Sequence, residues 1–336
     1  MSKSIIKFAA AAIVYASFAF YLYQPHFKHF SRLDYLLVLN VSLAALGCYV
    51  LSRRWVASFT CSVFAGAIYG FGPFILGLAK FHPTAGFLTA MVPWLFFPAV
   101  FGPKFKFRWL RVLFSSIPFF AIILFFQIST KLHLFAIPIQ TRLHLSDLAG
   151  LFVPFVAVKR NLNLVGFYHV PITSLVIGFF ILLAVRRFGV LIIFSLGVIL
   201  AFCNSLFNVS PIIWLAIPVL CCSVLIGAGM QGLVSAGYTD RKWVLATVMI
   251  MAVLSIAVLL LATKYANTFA GLGSEYTKFF TEAAKMYILG AITVGIIFFM
   301  ARAKLRIHWL RLGILCSAMA VDIFLGARLI VDKIFL

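Results

Sequence analysis

Apolar residues run along this chain in blocks of about twenty, the length of a membrane-crossing helix. The blocks are 5–23, 34–51, 56–79, 84–101, 109–128, 165–185, 188–207, 211–236, 243–263, 283–301 and 307–331. Each gap that follows an even-numbered block is basic: Arg53-Arg54, Lys104-Phe105-Lys106-Phe107-Arg108, Arg186-Arg187, Asp240-Arg241-Lys242 and Arg302-Ala303-Lys304-Leu305-Arg306. Short positive loops stay on the cytoplasmic side. Lys3 and Lys7 put the N-terminus on that side too. The pattern predicts an all-α polytopic membrane protein of about eleven spans, with residues 1–336 as a single transmembrane domain. It places the N-terminus in the cytoplasm and the C-terminus outside. Trp55, Trp109, Trp243 and Trp309 flank the basic gaps, where interfacial tryptophan belongs. The first block reads as a span and not a leader, because Tyr21, Leu22, Tyr23 and Gln24 make no small-residue cleavage site.

Two outer segments exceed the other connections, roughly 129–164 and 264–282. Within the first, the apolar part of 146–158 is too short to span, so it is expected to be a short re-entrant or interfacial helix with Ser146 as its N-cap. Of the seven acids, only Asp240 falls in a cytoplasmic gap. Asp34, Asp147, Glu275, Glu282 and Asp332 lie on or near the outer side, and Asp322 falls within the last span. Chemistry is therefore expected at the outer face.

Composition narrows the classes. Apolar residues make up 64% of the chain and charged residues 10%, with a mean hydropathy of +1.13. That excludes a soluble domain. The net charge of +21 does not indicate nucleic acid, since the bases sit at span ends and not in one patch. Membrane lipids with anionic headgroups are the partners those positions fit. Cys48, Cys61, Cys203, Cys221, Cys222 and Cys316 all fall in spans without C-x-x-C spacing, which predicts neither a disulfide framework nor a zinc site. His26, His29, His82 and His144 lie in outer segments, and only His169 approaches a span. No metal and no cofactor is expected. Asn208-Val209-Ser210 matches a glycosylation sequon but reads as a tight turn. P-loop, G-x-S-x-G, zinc and Rossmann motifs are missing. Gly66, Gly70, Gly227, Gly229 and Gly232 read as close helix packing.

Several passages carry a family likeness. They are Leu46-Gly47-Cys48-Tyr49-Val50-Leu51-Ser52-Arg53-Arg54, Ala67-Ile68-Tyr69-Gly70-Phe71-Gly72-Pro73-Phe74-Ile75-Leu76-Gly77, Phe81-His82-Pro83 and Val92-Pro93-Trp94. Further on come Leu151-Phe152-Val153-Pro154, Gly166-Phe167-Tyr168-His169-Val170-Pro171 and Ala320-Val321-Asp322-Ile323. Together they resemble a shortened bacterial YfhO-type membrane protein, a family similar to the GT-C glycosyltransferases. The resemblance implies a bacterial inner-membrane enzyme that uses polyprenyl-phosphate-linked sugar at the extracytoplasmic face. The chain departs from that pattern in two places. Its first outer loop runs only from Gln24 to Leu33, and no Arg stands near Ile217-Pro218-Val219-Leu220.

Inverting sugar transfer needs a base for the acceptor hydroxyl and cations for the departing phosphate. Asp34 is the candidate base. Lys28, Arg32, Lys80, Lys159 and Arg160 are the candidate phosphate- or lipid-binding cations. Asp34 equally suits the start of a helix after Ser31-Arg32-Leu33. Asp322 is the intramembrane polar candidate, costly in lipid unless functional or paired within the bundle. Two other readings stay open: an accessory subunit of a larger membrane assembly, and a transporter of a lipid-linked or anionic solute.

Overall fold

The computed structural model describes residues 2–30, 34–81, 83–102, 108–131, 142–153, 166, 168–206, 209–264, 274–305 and 307–335. Helix dominates them and no strand occurs among them, as lipid demands of a chain whose backbone groups must pair internally. The α-helices are α1 (Ser2–Tyr23), α2 (Tyr35–Ser52), α3 (Phe59–Gly70), α4 (Pro73–Phe81), α5 (Pro83–Leu95), α6 (Phe97–Phe101), α7 (Arg108–Lys131), α8 (His169–Ala184), α9 (Phe188–Phe202), α10 (Ala216–Ser235), α11 (Arg241–Thr263), α12 (Ser274–Arg302) and α13 (His308–Phe335). Short 3-10 turns at Gln24–His29, Leu145–Leu151, Pro211–Leu215 and Tyr238–Asp240 join some of them.

Among the described residues, seven helical stretches are long and apolar enough to cross a bilayer: Ser4–His29, Tyr35–Ser52, Phe59–Leu78, Pro211–Ser235, Tyr238–Thr263, Thr277–Arg302 and His308–Asp332. This corrects the expectation of eleven. The other four blocks form the shorter apolar helices Ala85–Phe101, Val112–Phe125, His169–Ala184 and Phe188–Phe202. For α8 and α9 the physical reason is length. The 16 residues of α8 rise only ~24 Å, against a hydrocarbon core of ~30 Å. The described part of the segment 146–158 is a short helix, of the 3-10 type, over Leu145–Leu151. Ser146 lies inside it and is not its N-cap; the His144 N–H donates to Asp147 Oδ2 at 2.9 Å, the acid reaching back to the backbone that precedes the helix. Residues 154–158 lie outside the described residues.

The bundle has two chemically distinct ends. At one, Ala57 and Ser58 donate their N–H groups to Gln231 Oε1 at 2.8 and 3.2 Å. Arg311 donates to the carbonyls of Ala236 and Leu305. Arg241 and Lys304 lie 4.2 and 5.5 Å from the centre of the Tyr238 ring. Phe180 and Trp243 stack with centroids 4.2 Å apart. The loops carrying Arg53-Arg54, Arg186-Arg187, Asp240-Arg241-Lys242 and Arg302–Leu305 therefore share one end. Deeper in the bundle, at the middle of α13, His169 meets Asp322, and at the other end His26 meets Asp332. There the Leu143 N–H also donates to the Ala201 carbonyl at 3.0 Å.

Glycine sets how closely the helices approach. A β-carbon on Gly229 of α10 would lie 1.6 Å from the Ser174 carbonyl of α8, and one on Gly70 would lie 2.6 Å from the Val41 carbonyl of α2. Backbones this close are the usual use of small residues between helices in lipid. The third span is broken rather than bent. α3 ends at Gly70, α4 restarts at Pro73, and a proline cannot supply the N–H that would continue the ladder. The Tyr168 hydroxyl donates to the Phe71 carbonyl at that break, a side-chain replacement for a lost backbone partner.

Candidate functional site

Asp322 sits mid-length in α13 with its side chain 1% exposed. Its two oxygens meet the first turn of α8. Oδ1 accepts from His169 Nδ1 at 2.9 Å, and Oδ2 accepts from the Val170 N–H at 2.9 Å. A carboxylate from one helix thus caps the N-terminus of another, where orphan N–H groups and the positive end of the helix dipole favour negative charge. With Asp322 ionised, the tautomer follows: Nδ1 carries the imidazole proton. The His169 ring stands edge-on to Tyr287, with centroids 4.5 Å apart. Tyr287 in turn donates to the Phe152 carbonyl at 2.7 Å, which ties the 3-10 segment to the same cluster. Gly326, one turn beyond Asp322, leaves room for Tyr168. A β-carbon there would lie 2.3 Å from the ring.

One side of this cluster opens into a cavity of about 270 Å³ between α12 and α13. α12 lines it with Glu282 and Met286, and α13 with Asp322, Leu325, Gly326, Arg328, Leu329 and Asp332. Its rim is paired. His26 Nε2 lies 2.9 Å from Asp332 Oδ1, Arg328 Nε 3.7 Å from Asp332 Oδ2, and Lys285 Nζ 2.7 Å from Glu282 Oε1. Three of the chain's seven acids meet here. Against one guanidinium they leave the lining net negative. A second cavity, of about 50 Å³, is apolar and lies between α5, α7 and the Pro211–Leu215 turn, with Leu88, Val92, Phe119, Ile122, Ile213 and Trp214 among its walls.

The sequence candidates scatter. Asp34 is half-buried just ahead of α2 and makes no side-chain cap bond to that helix. It lines neither cavity. Lys28 is exposed in the Gln24–His29 turn. Lys80 belongs to α4, but its side chain lies outside the described part. Arg32, Lys159 and Arg160 lie outside the described residues altogether. Of the described candidates, Asp322 lines a cavity and Asp34 and Lys28 do not. Arg328, on the same helix as Asp322, pairs with Asp332. The sequence pattern alone does not single out Glu282, Arg328 and Asp332 as cavity residues. A usable signal existed: 322, 325, 326, 329 and 332 follow helical spacing along one stripe, and 282 and 286 do the same on α12.

Among the described residues no group of three or more His, Cys, Asp or Glu side chains converges as a metal site would require. The arrangement offers instead a buried carboxylate–imidazole pair beside a small amphipathic cavity. Comparison with family models, curated proteins and solved structures returned no match.

Proposed function

We propose that this multi-pass protein is a GT-C-like transferase of the YfhO type, working on polyprenyl-phosphate-linked sugar at the outer face of a bacterial inner membrane. In this reading the N-terminus is cytoplasmic, and the end that carries Asp332 faces outward. The four shorter apolar helices follow one another in two sequence-adjacent pairs, so this orientation holds whether a pair crosses or not, provided both its members do the same. The observation that carries the reading is the lining of the cavity by Asp322, held by His169 at 2.9 Å. A carboxylate oriented by an imidazole N–H can take the proton of an acceptor hydroxyl brought within hydrogen-bond reach. Asp322 then fills the role that the family likeness gave to Asp34.

A second reading, a non-catalytic accessory subunit on the same scaffold, draws on a different fact. Both oxygens of Asp322 are already engaged within the bundle, which suits a structural clip. The test is transfer by the purified protein in nanodiscs, supplied with polyprenyl-phosphate hexose labelled in the sugar and a membrane lipid extract. Label leaving the polyprenyl phosphate with the native chain, lost in Asp322→Asn at unchanged melting temperature, supports the enzyme. Loss in Asp34→Asn alone returns the base to Asp34. No transfer by the native chain, together with stoichiometric co-purification of another membrane protein, supports the accessory reading.

A further inference from the structure

We infer that the cavity between α12 and α13 selects, from the outer leaflet, a phospholipid headgroup that carries a primary ammonium and a phosphate. The inference deepens the reading of this cavity as an outer-face site and rests on the orientation given above. Its argument, however, is the lining alone.

Both signs of charge meet within one small space. Glu282 on α12 and Asp332 on α13 offer carboxylates, and Arg328 offers a guanidinium at the same mouth. Met286, Leu325 and Leu329 supply the apolar wall. A chain of net charge +21 holds only seven acids, and placing three at one cavity selects for positive charge in the ligand. An ammonium can donate to both Glu282 and Asp332. A phosphate on the same headgroup meets Arg328 as a charge-assisted, bidentate partner. Acyl chains continue over the apolar residues. A trimethylated nitrogen has no N–H to donate, and a headgroup with phosphate alone meets a net negative lining.

Size agrees. A cavity of about 270 Å³ falls below the ~300–1,000 Å³ of pockets for drug-sized ligands, so it fits a headgroup and not an oligosaccharide. Access is cheap as well. The ammonium replaces Lys285 on Glu282, where both side chains are well exposed at 62% and 42%, and such pairs contribute little. His26 and Arg328 are the other titratable groups facing Asp332. They hold that carboxylate in place for the ligand.

The test is native mass spectrometry of the full chain in detergent with phosphatidylethanolamine, phosphatidylcholine, phosphatidylglycerol or soluble phosphoethanolamine. The expected result is retention of phosphatidylethanolamine about tenfold above the other two lipids, falling to their level in the double variant Glu282→Gln, Asp332→Asn. Both are amide isosteres at partly exposed positions, and a melting curve checks that the variant is folded. Equal retention of the three lipids, or a preference that survives the double variant, overturns the inference. So does soluble phosphoethanolamine binding as well as the lipid, which would make the ligand a free metabolite. Failure of sugar transfer with the lipid preference intact overturns the transferase reading and leaves this one standing.

Discussion

Gly229 lies so close to Ser174 that a β-carbon on it would sit 1.6 Å from the Ser174 carbonyl oxygen. The obstacle is backbone, so it cannot rotate away. Gly229→Ala should therefore cost about 3 kcal/mol or more, the upper end for overpacking. Gly232→Ala meets only the Ile177 and Ile181 methyl ends, at 3.2 and 3.3 Å, and should cost under about 1 kcal/mol. Gly313→Ala, with nothing within 4 Å, should raise stability by about 0.5–1 kcal/mol, because alanine loses less backbone freedom than glycine in a helix. Thermal melting of the three variants in one detergent checks the order. Equal losses would refute the packing argument.

The Asp322–His169 pair and the Asp332–His26 pair have the same length and should behave differently. Both side chains of the first are 1% exposed. His169→Ala leaves a buried carboxylate with one backbone donor and should destabilise by about 3–5 kcal/mol. A double variant Asp322→Leu, His169→Phe should recover part of that loss, since two apolar groups replace the pair. Asp332 is 35% exposed, and screening holds the effect of Asp332→Asn to about 1 kcal/mol at most. Chemical denaturation in micelles separates the two outcomes.

Tyr168→Phe removes the hydroxyl that serves the Phe71 carbonyl at the break in the third span. A carbonyl left unsatisfied in a buried site costs about 1–3 kcal/mol. Hydrogen exchange at the first amides of α4 should rise in this variant and stay constant at α12. Exchange that is equal in both helices would mean that the tyrosine bond is not local support for the break.

Orientation is open to labelling. Single cysteines introduced at Arg187 and Lys304, in a chain freed of its native cysteines, should be reached by impermeant maleimide only after the membrane is opened. A cysteine at Leu145, which is 78% exposed, should react in intact cells. The reverse pattern would invert the topology and put the acid-lined cavity in the cytoplasm.

Much of the helical layout was legible because lipid makes apolar length a direct signal. The block 188–207 became Phe188–Phe202, and 243–263 lies within Arg241–Thr263. The count of spans was harder to read. A run such as 165–185 gives no sign that its helix starts only at His169. The break at Gly72-Pro73 was written in the sequence as a breaker dipeptide, but continuous hydrophobicity from 56 to 79 hid it. Asp322 was visible as an intramembrane acid. Its partner was not, because His169 stands 153 residues away and no local pattern encodes such a pairing. Asp34 drew attention through its place in a loop, yet the acids that line the larger cavity come from α12 and α13.

α7 is 24 residues long, a cylinder of ~36 Å, and it packs chiefly on the five-residue α6. Trp109, Val112, Leu113, Phe120 and Leu124 all point outward from it. For this helix the bilayer is the main packing partner, so its tilt answers to hydrocarbon thickness. A rod longer than a ~30 Å core leans or stretches the lipid around it. Membrane composition thereby becomes a variable of the fold itself, and any change in that tilt would displace Phe119 and Ile122, which wall part of the smaller apolar cavity.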